Sequence, residues 1–429
     1  MDQEMMTGDV LTQELKGRVI KEVDSLKEQI FEISQFLYEN PEVGHQEYKS
    51  AHMLTSTLER HSFNVQKGVS GMETAFKAEF AGKEPGPKIA LLAEYDALPA
   101  PLGHGCQHNL ISAMSVGAGL ALSRIMPELK GSLYVFGCPA EEAVAENAGG
   151  KVIMIDEFKA MDAAMMIHGS TRTTDGSEDL LNLNREALEI TFHGKAASAA
   201  QADNAYEGVN ALEACMLFWH GLNSFRPHIK HGARVYGIIT EGGTAVNVIP
   251  HRAVTRLLIR VSNYRYFLEL IEKVKQIAEG AAMTLGATVD VRITANRYIS
   301  YIASQNLAEA YGRNIEKLGL TVTKIKAGGD GGASDIGNVS RVCPSIHAFI
   351  ESAPKGTANH TNACADASVS ELGRNAAIAG AKALCMTAID IFTGAVDVKR
   401  LRQELDKALL DNASATAWQQ APVRLTSLI

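Results

Sequence analysis

Two nearly continuous apolar runs, Lys88-Ile-Ala-Leu-Leu-Ala93 and Ser132-Leu-Tyr-Val-Phe-Gly137, set the strongest limit on how this chain can fold. A strand with one wet face alternates apolar and polar residues. Runs that do not alternate are expected for central strands covered on both faces, so these two predict a sheet with helices on either side. Helical periodicity over residues 19–38, 48–60 and 110–125, with a further strand at 74–80, supplies the covering layers and makes the chain α/β.

The middle of the chain has a different order. A strand at 186–193, a helix at 206–222, strands at 233–240 and 253–261, a helix at 267–285 and a strand at 288–293 give βαββαβ, which predicts a small ferredoxin-like sheet. The first pattern then resumes with a helix at 306–318, a Gly-rich loop, a strand at 345–349 and a helix at 368–391. At 429 residues the chain exceeds the size at which one core stops growing. The expected organisation is therefore a discontinuous domain of residues 1–185 and 300–429, interrupted by an inserted α+β domain of residues 186–299.

The composition, 46% hydrophobic and 21% charged, is that of a globular protein with ample core material. A net charge of -8 with no compensating Lys/Arg cluster argues against nucleic acid as partner and for a small-molecule substrate. The acidic start, Met1-Asp-Gln-Glu, is unlike a secretory signal, and apolar runs fall short of about 20 residues, so the expectation is a cytoplasmic protein with no membrane partner. Six scattered cysteines do not form a disulfide framework and read as buried thiols, with Cys106 the exception.

Cys106 stands in a loop behind the first apolar strand, in a stretch that also carries Glu94, Asp96, His104 and His108. Thiolate and imidazole bind borderline and soft divalent ions, and a Cys-x-His pair in an irregular loop can turn both donors to one point. That is half a metal site. Cys138-Pro-Ala-Glu141-Glu142 places two carboxylates after a strand, where open α/β sheets do chemistry. His168 ends another apolar run, His360 lies in a polar loop, and the glycines of 328–332 can offer backbone N–H groups to an anion. Each residue also has a plain structural reading: a buried free thiol, a solvated helix start, a core histidine, a tight connection. His45, His52, His61, His220 and His231 have only that reading.

Taken in order, Glu94-Tyr-Asp-Ala-Leu-Pro99, Gly103-His-Gly-Cys-Gln-His-Asn109, Pro139-Ala-Glu-Glu142, Ile167-His-Gly169, Gly242-Gly-Thr-Ala-Val-Asn-Val-Ile-Pro250, Ala333-Ser-Asp-Ile-Gly-Asn-Val-Ser340 and Asn359-His-Thr361 resemble peptidase family M20. The likeness is to its amidohydrolase branch of aminobenzoyl-glutamate hydrolases, N-acyl amino acid hydrolases and β-alanyl-lysine type dipeptidases. It implies a di-metal exopeptidase-like catalytic domain with an inserted lid and dimerisation domain, hence a homodimer or higher homo-oligomer. It also implies two divalent ions, zinc or manganese first and cobalt or nickel as alternatives, held by Cys106, His108, Glu142, His168 and His360 with Cys106 as bridge. Glu141 becomes the general base that takes a proton from the attacking water and delivers one to the leaving amine. Asp96 and His104 are expected to orient the ligands, and Glu94 to stay off the metal. Asn247, Arg260, Gly329 and Gly331 are candidates for holding the substrate carboxylate.

One position departs from the family. Gly194-Lys-Ala-Ala-Ser198 carries serine where a histidine that stabilises the tetrahedral oxygen is expected, with His228 or Asn247 as candidate replacements. Besides metal-dependent amide hydrolysis, two readings stay open: a metal-retaining protein with weak or no activity, motivated by Ser198, and a metal-free thiol hydrolase using Cys106 with His108 or His104.

Overall fold

The computed structural model describes residues 2–177, 183–324 and 331–411. Its strands, in chain order, are β1 (Asn64–Lys67), β2 (Phe76–Ala81), β3 (Glu84–Glu94), β4 (Lys130–Cys138), β5 (Ala163–Ser170), β6 (Asn184–His193), β7 (Arg234–Glu241), β8 (Arg252–Val261), β9 (Thr288–Ile293) and β10 (Ser345–Glu351). The longer helices are α1 (Asp2–Ser25), α2 (Lys27–Glu39), α3 (Tyr48–Arg60), α4 (His108–Ser123), α5 (Ala211–Phe225), α6 (Tyr264–Thr284), α7 (Gln305–Lys317), α8 (Asn362–Val369), α9 (Glu371–Phe392) and α10 (Val398–Asp411). The chain divides into two compact units, the smaller beginning at residue 181 and ending at Ser300.

In the larger unit, the described strands form one sheet in the order β1-β2-β4-β3-β5-β10. β4, β3, β5 and β10 run parallel, with β10 at the edge of the described sheet. The apolar runs of β3 and β4 are its middle, with Ile89, Leu91, Leu133 and Val135 all fully buried. α4 is buried along its whole length. Its small residues permit close packing: a methyl added at Gly117 would lie 2.6 Å from Ile30 of α2, and one at Gly119 2.7 Å from Val135 of β4. α9 is long and apolar enough to span a membrane, yet 78% of its most apolar window is buried. A methyl at its Gly380 would come within 2.2 Å of Met114 of α4, so α9 is a core helix.

Two helical expectations break where periodicity alone could not show it. The helix expected over 19–38 is split at Leu26, which bears non-helical backbone before α2 begins. The one expected over 368–391 becomes α8 and α9, separated at Ser370, whose hydroxyl accepts the Gly373 N–H as an N-cap.

The smaller unit has the element order β6-α5-β7-β8-α6-β9, with the sheet order β7-β8-β6-β9 and every neighbouring pair antiparallel. Leu188, Ile190 and Phe192 of β6 and Leu257 and Ile259 of β8 are buried in one core with Phe218 of α5 and Phe267 of α6. The helices therefore cover one face of the sheet and leave the other to Arg185, Glu189, Arg256 and Arg260.

Candidate metal centre

Parallel strands deliver the site residues. Glu94 is the last residue of β3 and pairs in register with Cys138, the last of β4. Beyond these ends the chain carries Asp96 on one side and Glu141 and Glu142 on the other, and His168 lies near the carboxyl end of β5. The loop after β3 brings Cys106 back and turns sharply at Gln107, whose left-handed φ of 61° places His108 at the first position of α4. Ala140 and His360 are also left-handed, at φ 55° and 60°. Three such non-glycine residues around one site are the kind of strained backbone that functional loops retain.

The donors converge in two triads. One ligand atom each from Cys106, His108 and His168 lies within 4.8 Å of the others, and the same holds for Cys106, Glu142 and His360. Cys106 belongs to both. Its Sγ is 3.5 Å from His168 Nε2, and His360 Nε2 is 3.4 Å from Glu142 Oε1.

In two of the imidazoles, His108 and His168, hydrogen bonds on the far side fix which nitrogen is free. His108 Nδ1 lies 2.9 Å from Asp96 Oδ1 and 3.0 Å from the Asp96 carbonyl, both acceptors, so Nδ1 carries the proton and Nε2 is left to bind. His168 Nδ1 is 2.6 Å from the Gly169 carbonyl, which leaves its Nε2 free in the same way. Asp96 also accepts the Glu142 N–H through Oδ2 at 2.8 Å, coupling the two loops. Burial and the neighbouring His108 hold the His168 imidazole down at about 4, so it is a neutral donor at neutral pH. Burial pushes Cys106 up, with Glu142 and Glu141 adding to the shift, and a cation among these donors would reverse that balance. Burial would raise Glu142 too, but the His360 hydrogen bond and His108 hold it below the usual carboxylate range. Nitrogen, sulfur and oxygen donors with fixed tautomers fit borderline divalent ions.

Glu141 is buried beside this set, its Oε2 4.0 Å from His108 Nε2. Burial, then Glu94 and Glu142, push its carboxyl well above the usual range, the setting that keeps a carboxyl able to exchange a proton near neutral pH.

The remaining sequence candidates are distributed unevenly. His104 is buried and pushed down to about 3 by burial and His108, but it hydrogen-bonds none of the five donors, unlike Asp96. Glu94 lies closer than expected: with His108 and Glu141 it forms a third group of convergent donors, its Oε2 3.4 Å from His108 Nε2. Gly331 is buried, and Gly329 lies outside the described residues. Ser198, Asn247 and Arg260 belong to the smaller unit. Ser198 bridges to Val248, the Asn247 carbonyl accepts the Ala199 N–H at 3.0 Å, and Arg260 sits on β8. His228 is exposed.

Several further residues have a part in the site to which the sequence assigned no role. Lys151, in a short helical turn (Gly150–Ile153), is wholly buried and bonds both Glu94 and Asp335, so Glu94 meets an ammonium on one side and His108 on the other. A lone lysine in an amphipathic stretch reads as surface; only the paired acids could have hinted otherwise. Gln107 bonds the Cys364 carbonyl at 2.8 Å and receives the Ser352 hydroxyl at 2.6 Å, bracing the Cys106 loop. The Gly in Ile-His-Gly is explained by it: a methyl on Gly169 would fall 2.0 Å from the Gln107 side chain. His347 of β10 is buried with its ring 5.8 Å from that of His168.

Comparison with known proteins identifies the family. A model of peptidase family M20/M25/M40 matches residues 90–381. The chain is 33% identical to the Xaa-Arg dipeptidase of Mus musculus over 91% of its own length and 92% of that protein. It is 30% identical to one of the p-aminobenzoyl-glutamate hydrolase subunits of Escherichia coli strain K12, over 70% of this chain and 64% of the relative. Among solved structures, the aminobenzoyl-glutamate utilization protein of Klebsiella pneumoniae superposes with a TM-score of 0.70 at 17% identity, covering 88% of this chain and 98% of that one. A dinuclear metal-binding peptidase of the M20 family from Bacillus subtilis does so with a TM-score of 0.63 at 21% identity, covering 86% and 99%. The chain is a hydrolase that belongs to peptidase family M20/M25/M40.

Proposed function

We propose that the protein hydrolyses the amide bond of an N-acyl amino acid, an aminobenzoyl amino acid or a dipeptide and releases a free amino acid, using two divalent ions. The observation that carries this reading is the sharing of one thiol by two donor triads, Cys106 with His108 and His168 and Cys106 with Glu142 and His360. A single ion needs one triad; a common donor suits two adjacent ions.

Bound there, the ions would acidify water and draw charge from the amide carbonyl. Glu141 accepts a proton from the attacking water at a carboxylate oxygen, and the water oxygen forms the new bond to carbon. The same carboxyl then gives that proton to the leaving nitrogen as the carbon–nitrogen bond breaks, so no proton is lost or gained overall. Asp96 holds His108 in one tautomer throughout, and the Lys151 ammonium works against the burial that raises the Glu94 carboxyl. The thiol-hydrolase reading is disfavoured, because burial among carboxylates works against the free thiolate that a nucleophile requires.

The smaller unit is read as a lid and dimerisation domain. In support, the described residues leave β7 at the edge of its sheet with Tyr236, Ile238 and Ile239 exposed at 40%, 66% and 42%, an edge suited to pairing with a second copy.

The test is turnover on a panel of N-acyl, aminobenzoyl and β-alanyl amino acids, before and after chelation. Activity that disappears with chelator and returns with zinc or manganese supports the proposal. Activity indifferent to chelator but abolished by thiol alkylation would replace it with the cysteine mechanism, and metal retention without turnover on any member would leave a binding protein.

A further inference from the structure

The short segment before α3 reaches across to the loop that carries Glu141 and Glu142. Glu47 stands at the N-cap position of α3, yet its side chain does not cap the helix. That task falls to Glu42, whose carboxylate accepts the Lys49 N–H at 3.0 Å and the Ser50 N–H at 2.9 Å. Glu47 turns inward instead and is fully buried. Its Oε1 accepts the Ala140 N–H at 2.9 Å, and its Oε2 lies 2.8 Å from the Thr74 hydroxyl. The rest of the segment grips the same two loops. The Glu42 carbonyl accepts the Ala97 N–H at 2.8 Å, beside Asp96, and a methyl on Gly44 would fall 2.8 Å from Ala140 Cβ.

A buried carboxyl group without a counter-cation is a costly way to fill space. Among the described residues Glu47 forms no ion pair, and burial, then the nearby Asp96, push it up to about 8. A neutral acid still serves both partners: its carbonyl oxygen accepts from Ala140, and its O–H donates to a Thr74 hydroxyl turned to accept. What it holds is strained. Ala140 has a left-handed φ of 55°, uncommon for a residue with a side chain, and its carbonyl is pinned as well, accepting the Gly149 N–H at 2.6 Å. Such a conformation persists only where its surroundings over-determine it. Glu141 and Glu142 follow directly, so relaxation of Ala140 would re-aim both carboxylates. We infer that Glu47 is a positioning residue: by accepting the Ala140 N–H it sets the direction of Glu141 toward the attacking water and of Glu142 toward its ion. The inference rests on the roles proposed above for those two glutamates.

Zinc retention by the full-length protein, dialysed against a graded series of zinc buffers, tests it together with initial rates at saturating zinc. In Glu47→Ala one of the two ions is expected to bind about tenfold more weakly, and kcat to fall about tenfold or more with KM within about threefold. Glu47→Gln keeps an acceptor for Ala140 and a donor for Thr74, and should recover both quantities to within about threefold. Loss of fold stability alone would lower the amount of folded enzyme and leave its zinc affinity and kcat as they were. Thr74→Val removes the partner that orients Glu47 and is expected to show the same losses at about threefold, which keeps the test decisive if Glu47→Ala does not fold. If the unsubstituted protein binds zinc but turns over no substrate, the hydrolysis reading falls, and graded zinc affinity in the variants still supports the positioning role. Zinc affinity and kcat unchanged in Glu47→Ala, or in Thr74→Val where the alanine variant does not fold, would overturn the inference. So would a Glu47→Gln variant as impaired as Glu47→Ala.

Discussion

Lys151→Met removes the one ammonium shared by two buried carboxylates. Lys151 and Asp335 are 0% exposed and Glu94 is 1%, so solvent cannot take over as counter-charge. Burial alone would lower the lysine, but Asp335 and then Glu94 outweigh it and hold the ammonium well above its usual range. Breaking a buried pair by deleting one partner costs about 3–5 kcal/mol. An independent bound comes from protonation: an orphaned carboxylate can be neutralised at about 1.4 kcal/mol per pH unit above its ordinary value near 4, or roughly 4 kcal/mol at pH 7 for each. The first sets the loss at about 3–5 kcal/mol at pH 7, and the second caps it at about 8 kcal/mol if both carboxylates are neutralised. The second adds that the loss shrinks to about 1–2 kcal/mol per carboxylate at pH 5. Urea unfolding followed by fluorescence and by circular dichroism, at both pH values, measures it; coincident transitions are required before the numbers are used. The triple variant Lys151→Met, Glu94→Gln, Asp335→Asn should recover most of the stability, because it removes the charges together. A loss below about 1 kcal/mol at pH 7, or one that does not depend on pH, would refute the argument that this ion triad is desolvated.

Glu141→Gln is expected to lower kcat by about 100- to 10,000-fold with bound metal retained, measured by initial rates and elemental analysis on the same sample. Loss of metal along with activity would make Glu141 a ligand instead. Ser198→His should raise kcat tenfold or more, since an oxyanion donor is typically worth about 100- to 1,000-fold; an unchanged rate would mean that another donor already serves. In metal-free protein, His168 is depressed to about 4 by burial and His108, while in the unfolded chain it titrates near its ordinary value of 6.5. The unfolded state therefore binds the extra proton between those values, so stability is lost as the pH is lowered through that window, by up to roughly 3 kcal/mol from this residue. Denaturation of His168→Asn should show a shallower loss, and an identical slope would refute the assignment.

The sheet is plain in the sequence because β3 and β4 are buried on both faces and therefore lack alternation. The short edge strand β1 is hidden for the opposite reason: Asn64–Lys67 is mostly exposed and has no apolar pattern to read. Helix α10 also escapes, since its buried contact rests on Leu401 and Leu405 within a largely charged stretch. Cys106, His108, Glu142, His168 and His360 stand at or beyond the ends of apolar strands, but it is the resemblance that singles them out as a set. Their mutual approach is not legible, because it depends on strands far apart in sequence becoming neighbours. Lys151, Asp335 and Gln107 act through partners between roughly 57 and 257 positions away, a relation that no local pattern encodes. Resemblance alone keeps Glu94 off the metal, whereas its position 3.4 Å from His108 comes from β3 ending beside α4.

The most direct test of the central claim is the metal content of the purified protein and of Cys106→Ala, measured by elemental analysis after dialysis against non-chelating buffer. Two triads sharing one thiol predict close to two ions per chain in the unsubstituted protein and less than one in the variant, with turnover lost in parallel. One ion per chain, or two ions retained after Cys106 is replaced, would contradict a centre built around that thiol.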